Sequence, residues 1–359
     1  MIKNRNQQMD VLRGIGIILV VLGHTAFPAN HFIYLFHLAI FFMLSGYFFK
    51  SEEITNTRNL KQYILKKIKR LYFPYIIANV VCVILNNFFL KTNMYSISTH
   101  YYFSIKDIII NIIKILVLNG TTEMVGATWF LPILFEITIL YGAIEFLIIK
   151  IRKKEDNKIQ TLISISLLIL GYFLATNNIE LKFIKIPVFT CYVLFDFGRK
   201  FKKYKKDQNN FIKLFVLISS LILLVILNNF GTIEISKNIY TNLIFYISVS
   251  IIGWFFIYEL SYIFSKINII KKIFSYIGQN TMPILILHFL IFKVVNLIGI
   301  LSTKKDIMLL ATFPVAFKEK YWWIIYTLFG TFIPILINKI QKIIVERKKN
   351  EVRSSNSNL

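Results

Sequence analysis

The sequence predicts an all-α fold: a polytopic helical bundle integral to a membrane, with about ten transmembrane helices and both termini in the cytoplasm. Hydrophobic residues make up 56% of the 359 residues and charged residues only 17%, which leaves too little polar surface for a soluble globule of this length. The apolar residues come in runs of roughly 20, the length that an α-helix needs to cross a bilayer. Basic clusters separate these runs.

Ten apolar runs are long enough to be considered as crossings. The predicted spans are 11–28, 32–49, 71–90, 129–149, 161–176, 183–198, 211–230, 241–264, 274–301 and 321–340. A further apolar stretch, 107–118, is only about 12 residues long, which favours an interfacial or re-entrant helix. We expect residues 1–345 to form one membrane domain and the polar residues 346–359 to form a disordered cytoplasmic tail.

The formal charge of +24 is explained by topology. Roughly three quarters of the Lys and Arg residues fall in the connections that the alternation of spans assigns to the cytoplasm, as the positive-inside rule expects. This distribution argues against a nucleic-acid partner. The two cysteines, Cys82 and Cys191, lie inside apolar runs and are interpreted as small hydrophobic residues, so neither a disulfide framework nor a metal site is predicted.

The first predicted span carries two ionisable residues on one helical face. Eleven residues separate Arg13 from His24, and at about 100° each they complete three turns plus about 20°. The pair would lie about 16 Å apart along the axis, so that an anionic group could be held at one end and could react at the other. Two simpler interpretations remain open: His24 could be a packed histidine, and Arg13 a cation that snorkels to the interface.

Asp10, just before the first span, and other ionisable residues within the spans are candidates for supporting roles. His37 and His288 fall at roughly the depth of His24, although depth alone does not bring them together. Glu136 is the deepest acid and could orient a histidine or pair with a cation. Asp196 and Arg199, three residues apart, are predicted to form a local ion pair.

The basic run from Lys66 to Arg70 precedes Pro74 and the third span. It can be interpreted as a positive-inside cluster on lipid head groups, or as a docking site for the phosphates of a cytoplasmic donor.

Five motifs in order resemble acyltransferase family three of the membrane proteins, and the resemblance covers essentially the whole chain. They are Asp10-Val-Leu-Arg13-Gly followed by His24; Phe36-His37-Leu through Ser45-Gly46-Tyr; Lys67-Ile-Lys-Arg70-Leu-Tyr-Phe-Pro74; Thr128-Trp129-Phe-Leu131; and Gly278-Gln-Asn-Thr-Met-Pro through His288. In the family the third motif is usually Arg-x-x-Arg. Lys67 replaces its first arginine here, and a lysine cannot make the bidentate phosphate contact of an arginine.

The resemblance implies an O-acyltransferase, an enzyme that transfers groups other than amino-acyl groups, with Arg13 and His24 required for transfer. Expected partners are membrane lipids, acetyl-CoA or another acyl-CoA as donor substrate, and a cell-surface polysaccharide or its lipid-linked precursor as acceptor. The expected location is the plasma or inner membrane of a bacterium, and no bound cofactor is expected.

On this interpretation, the donor phosphates lie near Lys67, Arg70 and Arg13, and the thioester reaches His24, which acts as general base or briefly accepts the acyl group. Trp129 could stack on an acceptor sugar, or it could belong to an ordinary aromatic belt. Two alternatives from other classes remain open: a transporter or flippase for a lipid-linked glycan, with histidines coupled to protons, and a scaffold without activity.

Overall fold

The computed structural model describes residues 6–182, 184–206 and 208–356, with side chains to residue 347. The protein is 77% helical. The α-helices of this part are α1 (Gln7–Gly23), α2 (Asn30–Tyr34), α3 (Ala39–Tyr47), α4 (Thr57–Lys67), α5 (Phe73–Ile84), α6 (Asn86–Lys91), α7 (Ile105–Leu116), α8 (Phe130–Arg152), α9 (Asn157–Thr176), α10 (Ile186–Tyr204), α11 (Asn210–Leu227), α12 (Leu243–Lys266), α13 (Asn268–Gln279), α14 (Thr281–Thr303) and α15 (Trp322–Asn356). Two short strands, β1 (Ile233–Glu234) and β2 (Ile239–Tyr240), pair antiparallel.

Seven helical segments of the described chain are long and apolar enough to cross a membrane. They are Asn30–Tyr47, Glu123–Arg152, Asn157–Thr176, Asn210–Leu227, Leu243–Lys266, Thr281–Thr303 and Trp322–Arg347. The all-α polytopic membrane fold is thereby confirmed, whereas ten crossings and cytoplasmic termini stay predictions. Of the remaining predicted spans, 11–28 corresponds to the 17-residue α1, 71–90 is divided between α5 and α6, and 183–198 begins at a residue outside the described part and continues as α10.

The predicted span 274–301 is wrong at its start. The chain bends at Asn280, which separates α13 from α14. The Asn280 side chain donates to the carbonyl of Tyr276 and accepts from Asn338, so that polar contacts stabilise the bend. At the other end of the chain, α15 runs to Asn356, within the predicted tail 346–359, whose last three residues lie outside the described part. Disorder of this tail stays a prediction.

Helix α1 lies at the centre of the bundle, packed against α12, α13, α14 and α15. A Cβ atom on Gly14 would clash with the backbone of Phe274, and one on Gly278 would clash with the backbone of Asp10. The two glycines therefore let α1 and α13 pack backbone against backbone, as small residues do between membrane helices. This close contact fixes the helix that carries Arg13 and His24.

The predicted ion pair between Asp196 and Arg199 is wrong, because both residues have better-placed partners on other turns and helices. Arg199 donates to both carboxylate oxygens of Glu145, at 2.5 and 3.1 Å, and Asp196 pairs with Lys200 one turn later. The Tyr141 hydroxyl joins the two pairs, since it donates to Asp196 and accepts from Arg199. This buried network holds α8 against α10.

The short apolar helix predicted at 107–118 is present as α7. Leu116 at its end accepts from Tyr72, and the following chain places Thr122 against Asn79, so the segment runs along α5. The preceding residue Phe103 contacts Asn87 beyond the end of α5. Helix α7 thus runs antiparallel to α5 and the chain then turns back along it, whereas the choice between an interfacial and a re-entrant helix stays a prediction.

Candidate active site

A cavity of about 420 Å³ lies between α1, α3, α8 and the start of α14. We call it the basic cavity, because Arg13, Lys67 and Arg70 line it together. The same cavity is lined by His24 and His37. The shared face of Arg13 and His24 that the sequence predicts therefore borders one continuous space, rather than lipid.

Arg13 is held at the cavity wall by an acid and an aromatic ring. Its guanidinium donates to the buried carboxylate of Asp10 at 3.3 Å, and its Cζ lies 4.5 Å from the centroid of the Phe48 ring. These contacts fix the arginine near the first turns of α1, and its side chain is still 31% exposed. The guanidinium can therefore bind a further anion.

Lys67 and Arg70 enter the cavity where α4 passes into α5. A π-helical turn, Ile68–Tyr72, connects the two helices just before Pro74, whose missing N–H removes one backbone bond of a regular helix. The half-buried Lys67 ammonium lies 5.0 Å from the centroid of the Tyr63 ring. Burial and the neighbouring Arg70 lower the pKa of Lys67 to about 8.

His24 ends α1 and lies against two rings of α14. Its imidazole stacks on that of His288, with centroids 5.5 Å apart and planes 22° apart, and contacts Phe289 edge-on. The sequence places these two histidines at similar depth, and the structure brings them into contact. The stack orients the His24 ring without closing off the cavity.

His37 and His288 share one hydrogen-bond pattern. The Nδ1 atom of each lies 2.9 Å from the carbonyl oxygen four residues earlier, that of Ile33 or of Ile284. Because a carbonyl only accepts, Nδ1 carries the hydrogen, and Nε2 of a neutral ring keeps its lone pair. The Nε2 atom of His288 is buried without a partner in the described part of the chain. His37 faces the basic cavity, whereas His288 lies behind His24.

A second cavity, of about 580 Å³, begins at His24 and extends away from Arg13. We call it the distal cavity. Its wall combines Glu234, Lys318 and Phe313 from connecting segments with Thr25 after α1. Both cavities are lined by a common set of residues: His24, Tyr34, Ala127, Trp129 and Ser236. His24 therefore lies where the two spaces meet.

Comparison with known proteins decides the family. Residues 6–339 match the acyltransferase domain that defines acyltransferase family 3. The chain belongs to this family. The resemblance inferred from the five motifs is confirmed, and the protein is a multi-pass membrane acyltransferase. Searches of curated proteins and of solved structures found no match to this chain.

The structure does not bring Glu136 to either cavity of the acyltransferase. Its Oε2 atom is buried without a hydrogen-bond partner within the described chain, away from the histidines of the site. Trp129, by contrast, borders both cavities. Among the described residues, no group of three or more His, Cys, Asp or Glu side chains could hold a metal ion.

Sequence reasoning assigned no role to Lys293, which is buried in α14. Its Nζ donates to the carbonyls of Leu310, Ala311 and Thr312, at 3.0, 3.2 and 3.1 Å. The next residue, Phe313, lines the distal cavity and packs on Phe289, whose ring contacts His24. A lysine within an apolar run was the available signal, because such a residue needs a buried partner.

Proposed function

We propose that this acyltransferase is an O-acetyltransferase that moves an acetyl group from cytoplasmic acetyl-CoA to a hydroxyl of a cell-surface polysaccharide or its lipid-linked precursor. The observation that supports this most strongly is the meeting of the basic and distal cavities at His24. Each substrate would have its own entrance, and both would reach the same imidazole. The proposed location is the plasma or inner membrane of a bacterium.

The basic cavity suits the donor. Arg13, Lys67 and Arg70 provide three cationic groups for the phosphates of coenzyme A, and the guanidinium forks can bind phosphate oxygens in pairs. Between these cations and His24 the wall is mostly apolar, with hydroxyls at Ser45 and Thr281. A pantetheine arm, which is flexible and carries two amides, fits a narrow passage of this composition.

The distal cavity suits a carbohydrate acceptor. Trp129 offers an aromatic face on which a sugar ring can stack. Glu234 and Ser236 provide oxygens that can accept hydrogen bonds from sugar hydroxyls. The acceptor would enter from the side opposite to the donor, and one hydroxyl would approach His24.

In the proposed reaction His24 acts as general base. Its imidazole takes the proton of the acceptor hydroxyl while the hydroxyl oxygen attacks the thioester carbonyl. The carbon–sulfur bond then breaks, and the proton passes from the imidazolium to the leaving thiolate of coenzyme A. The stack on His288 holds the ring in place for both transfers. A brief transfer of the acyl group to His24 itself would use the same geometry.

One observation also favours a transporter or flippase for a lipid-linked glycan. Two cavities that meet at a shared histidine are what a substrate pathway with proton coupling requires. In that case the protein would move the glycan and leave acyl-CoA intact.

Acyl-CoA turnover by the purified protein, with candidate glycans, separates the two proposals. We expect release of coenzyme A that depends on the acceptor, and its loss in His24→Ala. His31→Ala is the matched control, because His31 is exposed, lines neither cavity and bonds to Asn228. Normal transfer by His24→Ala would refute the catalytic role, and glycan transport without acyl-CoA turnover would favour the flippase.

A further inference from the structure

A third cavity lies apart from the reaction path, where α10 ends, α11 begins and α12 completes its last turns. We call it the lateral cleft, and its volume is about 760 Å³. Lys205, Lys206 and Lys213 line it together with Glu259 and with tyrosines of α10 and α12. It shares no residue with the basic or the distal cavity.

Glu259 is the unusual member of this cleft. The residue is 94% buried, and its Oε2 atom has no hydrogen-bond partner in the described chain. The electrostatic influence of Lys213 and Lys205 reaches its carboxylate. A buried carboxylate without a donor costs free energy, so its presence beside the cleft indicates a ligand that supplies one.

Two of the three lysines of the cleft contact aromatic side chains. Lys205 donates to the Tyr258 hydroxyl at 2.9 Å, and the Lys213 ammonium lies 4.1 Å from the centroid of the Tyr262 ring. Gln8 of α1 fixes the same wall through the Tyr258 carbonyl. Cationic groups and one buried carboxylate therefore line the same cleft.

The position of the cleft indicates a lipid. Helix α11 is apolar enough to span a membrane, and only 11% of it is buried in the protein, so that its surface faces acyl chains. Lys213, in the first turn of this helix, lines the cleft, and a basic residue at the end of an apolar span is expected near the head groups. A phospholipid could place its chains along α11 and its head group in the cleft.

We propose that the lateral cleft binds a phospholipid whose head group carries both a phosphate and a primary ammonium group, the chemistry of phosphatidylethanolamine. The ammonium donates to Glu259, and the phosphate lies among Lys205, Lys206 and Lys213. Phosphatidylcholine lacks the N–H donors that the carboxylate needs, and phosphatidylglycerol lacks the cation. The site is independent of the acyl-transfer reaction.

Retention of lipid by the purified protein tests this proposal. The protein is exchanged into equal amounts of phosphatidylethanolamine, phosphatidylglycerol and phosphatidylcholine, and the bound lipid is identified by native mass spectrometry. We expect phosphatidylethanolamine to be retained over the other two. Glu259→Gln should weaken it about tenfold, the loss expected for a charge-assisted hydrogen bond, and leave phosphatidylglycerol unchanged. Glu52→Gln, at an exposed acid elsewhere, is the control.

Lys206→Gln, at an exposed position of the same cleft, gives a second readout that does not depend on the folding of the Glu259 variant. It should weaken retention of phosphatidylethanolamine and phosphatidylglycerol alike. Equal retention of the three lipids, or a preference that survives both substitutions, would overturn the proposal. Displacement of the lipid by free coenzyme A would assign the cleft to a nucleotide instead.

Discussion

The two cavities that meet at His24 are built from different kinds of structure. The basic cavity is walled mainly by long helices, with its cations on α1 and on the passage from α4 to α5. The distal cavity is walled largely by connecting segments, including β1 and the chain from Phe313 to Lys318. The difference indicates that the proposed donor side is shaped by the packing of the bundle, whereas the proposed acceptor side depends on loops, each of which needs its own contacts.

If the basic cavity binds the donor phosphates, removal of its central cation should have the largest effect. Arg13→Gln is expected to raise the KM for acyl-CoA about tenfold to a hundredfold, because a charge-assisted hydrogen bond contributes about 1.5–3 kcal/mol. The KM for the acceptor should stay unchanged. Steady-state kinetics with each substrate varied in turn would measure both constants.

Arg58→Gln is the matched control for that substitution, since Arg58 lies on α4, is exposed and lines neither cavity. An unchanged KM for acyl-CoA in Arg13→Gln, or an equal rise in Arg58→Gln, would contradict the assignment of the basic cavity to the donor.

On the distal side, Lys293 holds the segment that carries Phe313, and loss of the lysine should weaken binding of the acceptor. Lys293→Met is expected to raise the KM for the acceptor about tenfold, because one buried and two partly buried carbonyls lose a donor. Each unsatisfied group costs about 1–3 kcal/mol, part of which local rearrangement recovers. The KM for acyl-CoA should change little. Lys304→Met, at an exposed residue after α14, serves for comparison.

A rise in the KM for acyl-CoA instead, with the acceptor unaffected, would show that the two cavities are not functionally separate. Thermal unfolding of Lys293→Met would be measured in parallel, since a purely structural role would lower stability without shifting the balance between the two constants.

The smallest effect concerns pH. The pKa of Lys67 is lowered to about 8, so its ammonium is present below that pH and is lost as the pH rises through it. We expect kcat/KM for acyl-CoA to fall a few-fold between about pH 7 and pH 9 as the charge disappears. Lys67→Arg keeps the charge throughout and should flatten this limb of the profile. An identical limb in Lys67→Arg would mean that another group titrates.

The sequence predicts the residues of the basic cavity better than those of the distal cavity. The face shared by Arg13 and His24 follows from helical periodicity, and the bundle fixes the helix that carries it, so the candidate donor side was foreseeable. The loop held by Lys293 has no periodicity, and its contacts depend on tertiary packing. The depth of Glu136 favours a role in the site, but depth along a helix does not determine which side a residue faces, and this carboxylate lies away from both cavities.

The bend at Asn280 shows the same limit within the helices. Hydropathy averaged over a long window reads 274–301 as one apolar run, because the long apolar stretch that follows outweighs the short polar stretch Gln279-Asn280-Thr281. The bend depends on a contact with Asn338, a residue 58 positions away. It creates α13, the helix that packs backbone to backbone against α1, so a feature absent from the hydropathy pattern positions the helix that carries His24.

The central claim is that donor and acceptor meet at His24, and a structure of the protein with a non-hydrolysable acyl-CoA analogue tests it most directly. The account predicts phosphates beside Arg13, Lys67 and Arg70, with the acyl carbonyl in the basic cavity next to the His24 imidazole and the distal cavity left open for the acceptor. An acyl group bound away from His24, or a nucleotide seated in the lateral cleft, would contradict it.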